Sequence, residues 1–128
     1  MPKKKKSSKT NLLVVIVIIA LVAGAVTMYH DGLVGVTPLE DIHEWDIIEG
    51  FAIDDGTAVS VKGRITGINT FLNLVTINDG TGSIGFEWGF ADDLELDSVV
   101  VARGIVQTLG FIRFLDDVSS VQVVWLFA

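Results

Sequence analysis

Val59-Ser-Val-Lys-Gly-Arg-Ile65 alternates apolar and polar residues, and this alternation decides the fold. A period of two places successive side chains on opposite faces of a β-strand. The stretch, which begins at about Ala58 and continues to Gly67, therefore predicts a strand with one buried face. Gly63 lies in its middle, where glycine is typical of a sharp bend in a small barrel.

Four more strands are predicted downstream, at about 71–77, 83–88, 98–109 and 111–115. Residues 118–127 continue the last strand after a break at Asp116-Asp117. The loop Asn78-Asp-Gly-Thr-Gly82 joins the second and third strands, and we expect Gly80 and Gly82 to take positive φ there. Residues 91–96 suit one helical turn. Five short strands with a bend in the first predict a closed all-β barrel, because closure leaves no unpaired sheet edge.

A short helix is predicted just before the barrel. Thr37 suits the N-cap, Pro38 suits the first helical position, and Glu40 completes a capping box. We expect this helix to cover residues 38–47 and to end at Gly50.

The N-terminal thirty residues show a step in charge. Residues 1–11 contain five lysines and no acid, and residues 12–29 carry no charge at all. Eighteen helical residues span about 27 Å, enough for a bilayer core. Basic residues stay in the cytoplasm, so the rest of the chain is expected outside it. The predicted organisation is a cytoplasmic stub (1–11), a single transmembrane helix (12–29), a linker with the short helix (30–57) and a barrel domain (58–128).

A cleaved signal peptide is the alternative interpretation of the same segment. Ala23-Gly-Ala25 resembles a signal-peptidase site after a short apolar core. Both interpretations place the barrel outside the cytoplasm, at the cell membrane or beyond it.

Charge and composition disfavour two classes of function, nucleic-acid binding and catalysis. All sixteen acids follow Tyr29, with only four bases among them, so this part carries a net charge of −12. Such a domain repels phosphate backbones, which makes nucleic acid an unfavourable partner. The sequence has no cysteine and no recognisable catalytic motif. We therefore expect a non-enzyme without a cofactor.

The histidines and Trp88 are expected to have structural positions, not site roles. His43 and Glu40 lie one turn apart on the predicted helix, but no compact ligand set surrounds them, so no metal site is predicted. We expect His30 and His43 at the surface beside acids, and Trp88 in the core.

The phrases at 59–65, 75–84 and 99–106 together resemble an OB-fold domain. The strand motifs are similar to those of nucleic-acid-binding OB domains, which implies single-stranded nucleic acid as one alternative ligand. The order of stub, anchor and barrel resembles the membrane-anchored haem chaperone of cytochrome c maturation, which implies a haem or small-ligand carrier as another. That chaperone attaches haem through a histidine in a C-terminal tail with a nearby tyrosine. Here no histidine follows His43 and the only tyrosine is Tyr29, so no position inherits that role.

The OB resemblance also implies where a ligand or partner binds: on the second and third strands and the adjoining loops. Exposed leucines there favour a protein partner or self-association. We therefore expect a membrane-anchored, non-catalytic binding or assembly module. The predicted contact residues are Leu72, Leu74, Thr76, Glu87, Asn69, Thr70, Lys62, Arg64, Trp125 and Phe127.

Overall fold

A computed structural model describes residues 5–128 of the chain. The first four residues of the predicted basic stub, including Lys3 and Lys4, lie outside this part. The described part begins with the α-helix α1, Lys5–His30. Its apolar portion, Lys9–His30, is long enough to cross a membrane, and the same length and composition suit a signal sequence.

The apolar surface of α1 has no protein cover. None of its hydrophobic window is buried against the rest of the molecule. This exposure fits a helix that spans a lipid bilayer, where backbone hydrogen bonds must be satisfied within the helix, and it fits a signal sequence equally well.

The barrel consists of five strands in the closed order β3-β4-β5-β7-β6. All neighbouring pairs are antiparallel except β5 and β7, whose parallel pairing closes the ring. This confirms the OB-like barrel predicted from the sequence. The strands are β3 (Ala58–Asn69), β4 (Leu74–Asn78), β5 (Ser83–Glu87), β6 (Val99–Leu109) and β7 (Ile112–Val123).

The core is aliphatic and lies inside this ring. Alternate residues of each strand point inward, as the period of two predicted. Trp88, which was expected in the core, packs against it but remains half-buried just after β5. A 3-10 turn, Ala91–Asp93, follows and buries Ala91, within the predicted helical turn. The strand residues that form this core cluster are Val61, Ile65, Val75, Ile77, Ile84, Phe86, Val100, Ala102, Val106 and Leu115.

Gly63 marks the point where β3 exchanges one partner for another. The first half of β3 pairs with β6 and the second half with β4, and both pairings meet at Arg64. The backbone of β4 approaches so closely there that a Cβ on Gly63 would lie 2.9 Å from the carbonyl oxygen of Asn78. Glycine is therefore required by this contact.

The short helix α2, Leu39–His43, is half the predicted length, and its cap differs from the prediction. Thr37 does not cap it. The hairpin loop between β4 and β5 does so instead: the Leu39 N–H donates to Asp79 Oδ2 at 2.8 Å and the Glu40 N–H donates to Thr81 Oγ1 at 3.0 Å. The predicted capping box was wrong because distant side chains satisfy these donors first.

A two-stranded hairpin replaces the second half of the predicted helix. Its strands are β1 (Trp45–Asp46) and β2 (Gly50–Phe51). The Asp46 carboxylate accepts the N–H of Ile48 at 2.7 Å, and such a local bond competes with helix formation. Gly50, expected to end the helix, lies in β2 with φ of 80°.

Three smaller differences concern turns. The second barrel strand begins at Leu74, three residues later than predicted. The Asn69 side chain accepts the N–H groups of Phe71 and Leu72, and these bonds form a tight turn before the strand. Gly80 has the expected positive φ, whereas Gly82 does not. The predicted break at Asp116-Asp117 is a bulge inside the continuous strand β7.

Replacing Gly63 by alanine is expected to destabilise the barrel by about 1–3 kcal/mol, because the new methyl group overlaps rigid backbone. Gly67→Ala is the matched control in the same strand, since its Cβ would lie 3.7 Å from the nearest atom, an ordinary contact. Urea unfolding of the full chain in detergent, followed by circular dichroism, measures both. Equal stability of the two variants would contradict this account of β3.

Candidate functional site

A buried carboxylate joins the end of α1 to the C-terminal residues. Asp31 directly follows α1 and is fully buried. Its two oxygens accept the backbone N–H groups of Trp125, Leu126 and Phe127 at 2.7, 2.8 and 2.9 Å. We call His30, Asp31 and residues 125–127 the C-terminal clasp.

His30 completes the clasp. Its Nδ1 lies 2.8 Å from Asp31 Oδ1, and its ring stacks on the indole of Trp125 with centroids 3.4 Å apart. The expectation of a surface histidine was therefore wrong for His30, which is buried. Burial alone would raise the pKa of Asp31, but the hydrogen bonds from His30 and the three N–H groups outweigh it and hold that pKa well below its usual range.

A second set of contacts fixes the same helix end to the outer surface of β6 and β7. Arg103 donates to the carbonyl oxygen of Tyr29 at 3.1 Å, and its guanidinium lies 4.5 Å from the centre of the Tyr29 ring. A second nitrogen of the Arg103 guanidinium donates to Gln122 Oε1 at 2.7 Å. Gly32 packs so closely on β6 that a Cβ there would lie 2.9 Å from Val101. Part of the predicted linker is thus bound to the barrel.

Lys62 and Arg64 face outward from β3, as predicted, but both side chains form hydrogen bonds within the protein. Lys62 Nζ donates to the carbonyl oxygen of Phe127 at 2.6 Å, and Arg64 donates to that of Asp97 at 2.7 Å. Both line an open cleft of about 600 Å³ next to the β4–β5 hairpin. These contacts hold the C-terminus and the loop before β6.

The predicted contact surface on β4 and β5 is exposed. Leu72 and Leu74 are 53% and 44% exposed, and Glu87 lies directly opposite Leu74 on β5. Phe71, in the turn before β4, is 92% exposed and extends the same apolar surface. We call Phe71, Leu72, Leu74 and Glu87 the β4 patch.

The remaining predicted residues have different positions. Thr76 is half-buried on β4, Thr70 is exposed in the turn, and the Asn69 side chain stabilises that turn. Trp125 and Phe127 belong to the C-terminal clasp and do not join the β4 patch. Their contact with a partner stays a prediction.

The order of strands separates the β4 patch from α1. In a closed ring ordered β3-β4-β5-β7-β6, β4 is the one strand that pairs with neither β6 nor β7. The end of α1 is fixed to β6 and β7 through Arg103 and Gln122. The patch therefore lies on the opposite side of the barrel from this junction.

Arg113 is a structural residue that the sequence analysis missed. It is buried, and it donates to the carbonyl oxygens of Ile42 and Ile53, both at 2.6 Å, as well as to Asp55 and Thr108. The hydrogen bond from Thr108, followed by those from Arg113, lowers the pKa of Asp55. The sequence does carry a signal for its burial: Arg113 lies two residues before the inward-facing Leu115 and therefore on the same face of β7. These bonds hold the segment before β3 against the barrel.

No metal-binding group of three or more His, Asp or Glu side chains occurs within the described part of the chain. His43 is exposed, as expected, and its Nε2 contacts the carbonyl oxygen of Ser83 at 2.6 Å.

Comparison with known proteins supports the fold. No protein-family model and no curated protein matches the sequence. The chain is similar to a solved structure of the hypothetical protein ygiW from E. coli, with a TM-score of 0.53 and 19% identity, covering 70% of this chain and 89% of that one. At this identity the likeness shows a shared OB-like fold alone. The haem-carrier and nucleic-acid alternatives therefore stay predictions.

Asp31→Asn is expected to loosen the C-terminal clasp, because an amide loses the charge and replaces one accepting oxygen by a donor. Charge-assisted hydrogen bonds are worth about 1.5–3 kcal/mol, so amide exchange at residues 125–127 should become at least roughly tenfold faster. Asp92→Asn, at an exposed acid of the 3-10 turn, is the control.

The pH dependence follows from the lowered pKa of Asp31. The clasp is complete above the ordinary aspartate value of 3.8 and is lost only as pH falls through the lower folded-state value. The amides of residues 125–127 should stay hydrogen-bonded to Asp31, and protected from exchange, down to about pH 4. A transition above that pH would contradict the account.

Proposed function

We propose that this protein is a membrane-anchored OB-fold binding module that holds a protein partner outside the cytoplasm through the β4 patch. The single observation that carries the proposal is the placement of this patch. It is apolar and exposed, and it lies on the side of the barrel opposite the α1 junction.

The fixed junction gives the patch a defined direction. The C-terminal clasp and Arg103 hold the end of α1 on β6 and β7, so the barrel does not swing freely on a linker. When α1 spans the bilayer, β4 and β5 stay accessible to another protein. Exposed apolar surface of this kind is typical of an interaction site.

The chemistry of the patch indicates what the partner presents. Phe71, Leu72 and Leu74 favour an apolar surface on the partner. Glu87, directly opposite Leu74 and exposed, favours a lysine or arginine at its edge. The acidity of the domain disfavours an acidic partner.

The anchor is tested by single-cysteine labelling, for which this cysteine-free chain is well suited. We expect a membrane-impermeant maleimide to label Asp92→Cys in intact cells, and Ser7→Cys only after the cells are opened. Carbonate-washed membranes should retain the protein at its full mass. A mature form that begins after Ala25 would establish the signal-peptide alternative, and labelling of both positions in intact cells would contradict the topology.

Partner binding is tested by photo-crosslinking. A benzoylphenylalanine at Phe71 should crosslink to a partner, whereas the same group at Phe111, an equally exposed phenylalanine in the β6–β7 turn, should not. Leu74→Asp should reduce the yield at least tenfold, because burying one leucine contributes about 1.5–3 kcal/mol.

Ile48→Asp, at an 89% exposed isoleucine in the β1–β2 turn, is the matched control. A crosslinked product of twice the chain mass would identify self-association. Equal yields from Phe71 and Phe111, or no effect of Leu74→Asp, would contradict partner binding at the β4 patch.

A further inference from the structure

A second cleft lies where α1 meets the barrel. It measures about 360 Å³ and is open to the outside. One wall comes from the helix and the other from β6, β7 and the C-terminal clasp. The residues that line it are Val26, Tyr29, His30, Arg103, Ser120, Gln122 and Trp125. The cleft is thus apolar toward the middle of α1 and polar toward the barrel.

Arg103 brings to this cleft a positive charge that no carboxylate in residues 5–128 pairs and that lies over the face of the Tyr29 ring. Within the described residues, the ion pairs are His30–Asp31 and Arg113–Asp55, and neither includes Arg103. The hydrogen-bond partners of Arg103 are neutral: the carbonyl of Tyr29 and the amide oxygen of Gln122. Its Nε is buried and has no acceptor there. Because all acceptors of this guanidinium are neutral, an anion in the cleft would stabilise its charge.

Arg103 contacts the last turn of α1. The level of this turn in a bilayer indicates which anion lies near the guanidinium. The 22 residues Lys9–His30 rise about 33 Å, slightly more than the hydrocarbon core of a bilayer. The Tyr29 carbonyl, to which Arg103 donates, therefore lies near the outer boundary of the hydrocarbon. Tyrosine and tryptophan rings prefer this level, and Tyr29 and Trp125 both line the cleft. Lipid phosphates occupy the same level.

We propose that this cleft binds the phosphodiester group of an outer-leaflet phospholipid. The planar guanidinium of Arg103 suits phosphate oxygens, and the wall formed by Val26 suits the start of an acyl chain. A lipid is favoured over free phosphate because the net charge of −12 repels a small anion from solution, whereas the bilayer supplies phosphodiesters beside the cleft. The inference rests on the membrane anchoring proposed above.

The test uses the full chain in a maltoside detergent free of phosphate. The protein has three arginines, so three Nε–H resonances identify Arg64, Arg103 and Arg113 by NMR. We expect dihexanoyl phosphatidylcholine to shift the Arg103 resonance in a saturable way, with the Arg64 resonance unchanged. Dihexanoylglycerol, which lacks the phosphate, should have no effect. Inorganic phosphate at equal concentration should bind at least tenfold more weakly.

Variants test the same site independently. Arg103→Gln should retain at least tenfold less phospholipid in native mass spectrometry, whereas Arg64→Gln should retain as much as the unaltered protein. Arg103→Lys, which keeps the charge but not the planar fork, should lie between them. Thermal unfolding of each variant shows whether lost retention reflects lost folding, and the wild-type titration needs no variant.

The outcomes separate this inference from the proposed function. An unshifted Arg103 resonance, equal shifts with dihexanoylglycerol or phosphate, or undiminished retention by Arg103→Gln would overturn the lipid site while leaving the anchor intact. Loss of the protein from carbonate-washed membranes would instead remove the anchoring on which both proposals rest.

Discussion

The buried carboxylate of Asp31 is the contact on which the arrangement of helix and barrel depends. It accepts three consecutive N–H groups at residues 125–127, which follow the last strand and have no sheet partner for these donors. A burial that would be costly for an isolated carboxylate is offset by these bonds and by His30. One residue after α1 thereby connects the end of this helix to the last residues of the described chain. Together with Arg103 it places the last turn of α1 against β6 and β7.

The four bases beyond the anchor share one structural role: each donates to a backbone carbonyl that lies far away in sequence. Lys62 holds the C-terminus, Arg64 the loop before β6, Arg103 the end of α1, and Arg113 the segments on either side of β2. Arginine and lysine stems cover apolar surface while their charged ends satisfy carbonyls that no strand pairs. The few cations of this acidic domain therefore attach its irregular segments to the barrel, which explains why no cationic binding face results.

The barrel was predictable because its signals are local. The alternation in β3, Gly63 and the loop around Gly80 each specify geometry within a few residues. The C-terminal clasp was not predictable, because His30 and Trp125 are ninety-five positions apart and no pattern links them. The prediction for the cap of α2 was wrong for the same reason, because the acceptors of its first N–H groups come from the distant β4–β5 hairpin. Leu74 is exposed on β4, as strand parity indicates, whereas Phe71 and Leu72 lie in the turn before β4, to which parity does not apply.

Since the bases donate mainly to carbonyls, most of the negative charge remains uncompensated. All acids except Asp31 and Asp79 are exposed, and among them only Asp55 forms an ion pair in the described residues. A potential of this sign extends over the whole barrel and is screened only beyond about 10 Å at ordinary ionic strength. It repels anions at long range, whereas exposed apolar side chains and a single guanidinium act only at contact. On the two proposals made above, charge selects what approaches the barrel, and short-range chemistry selects what binds: apolar area at the β4 patch and the guanidinium of Arg103 beside α1.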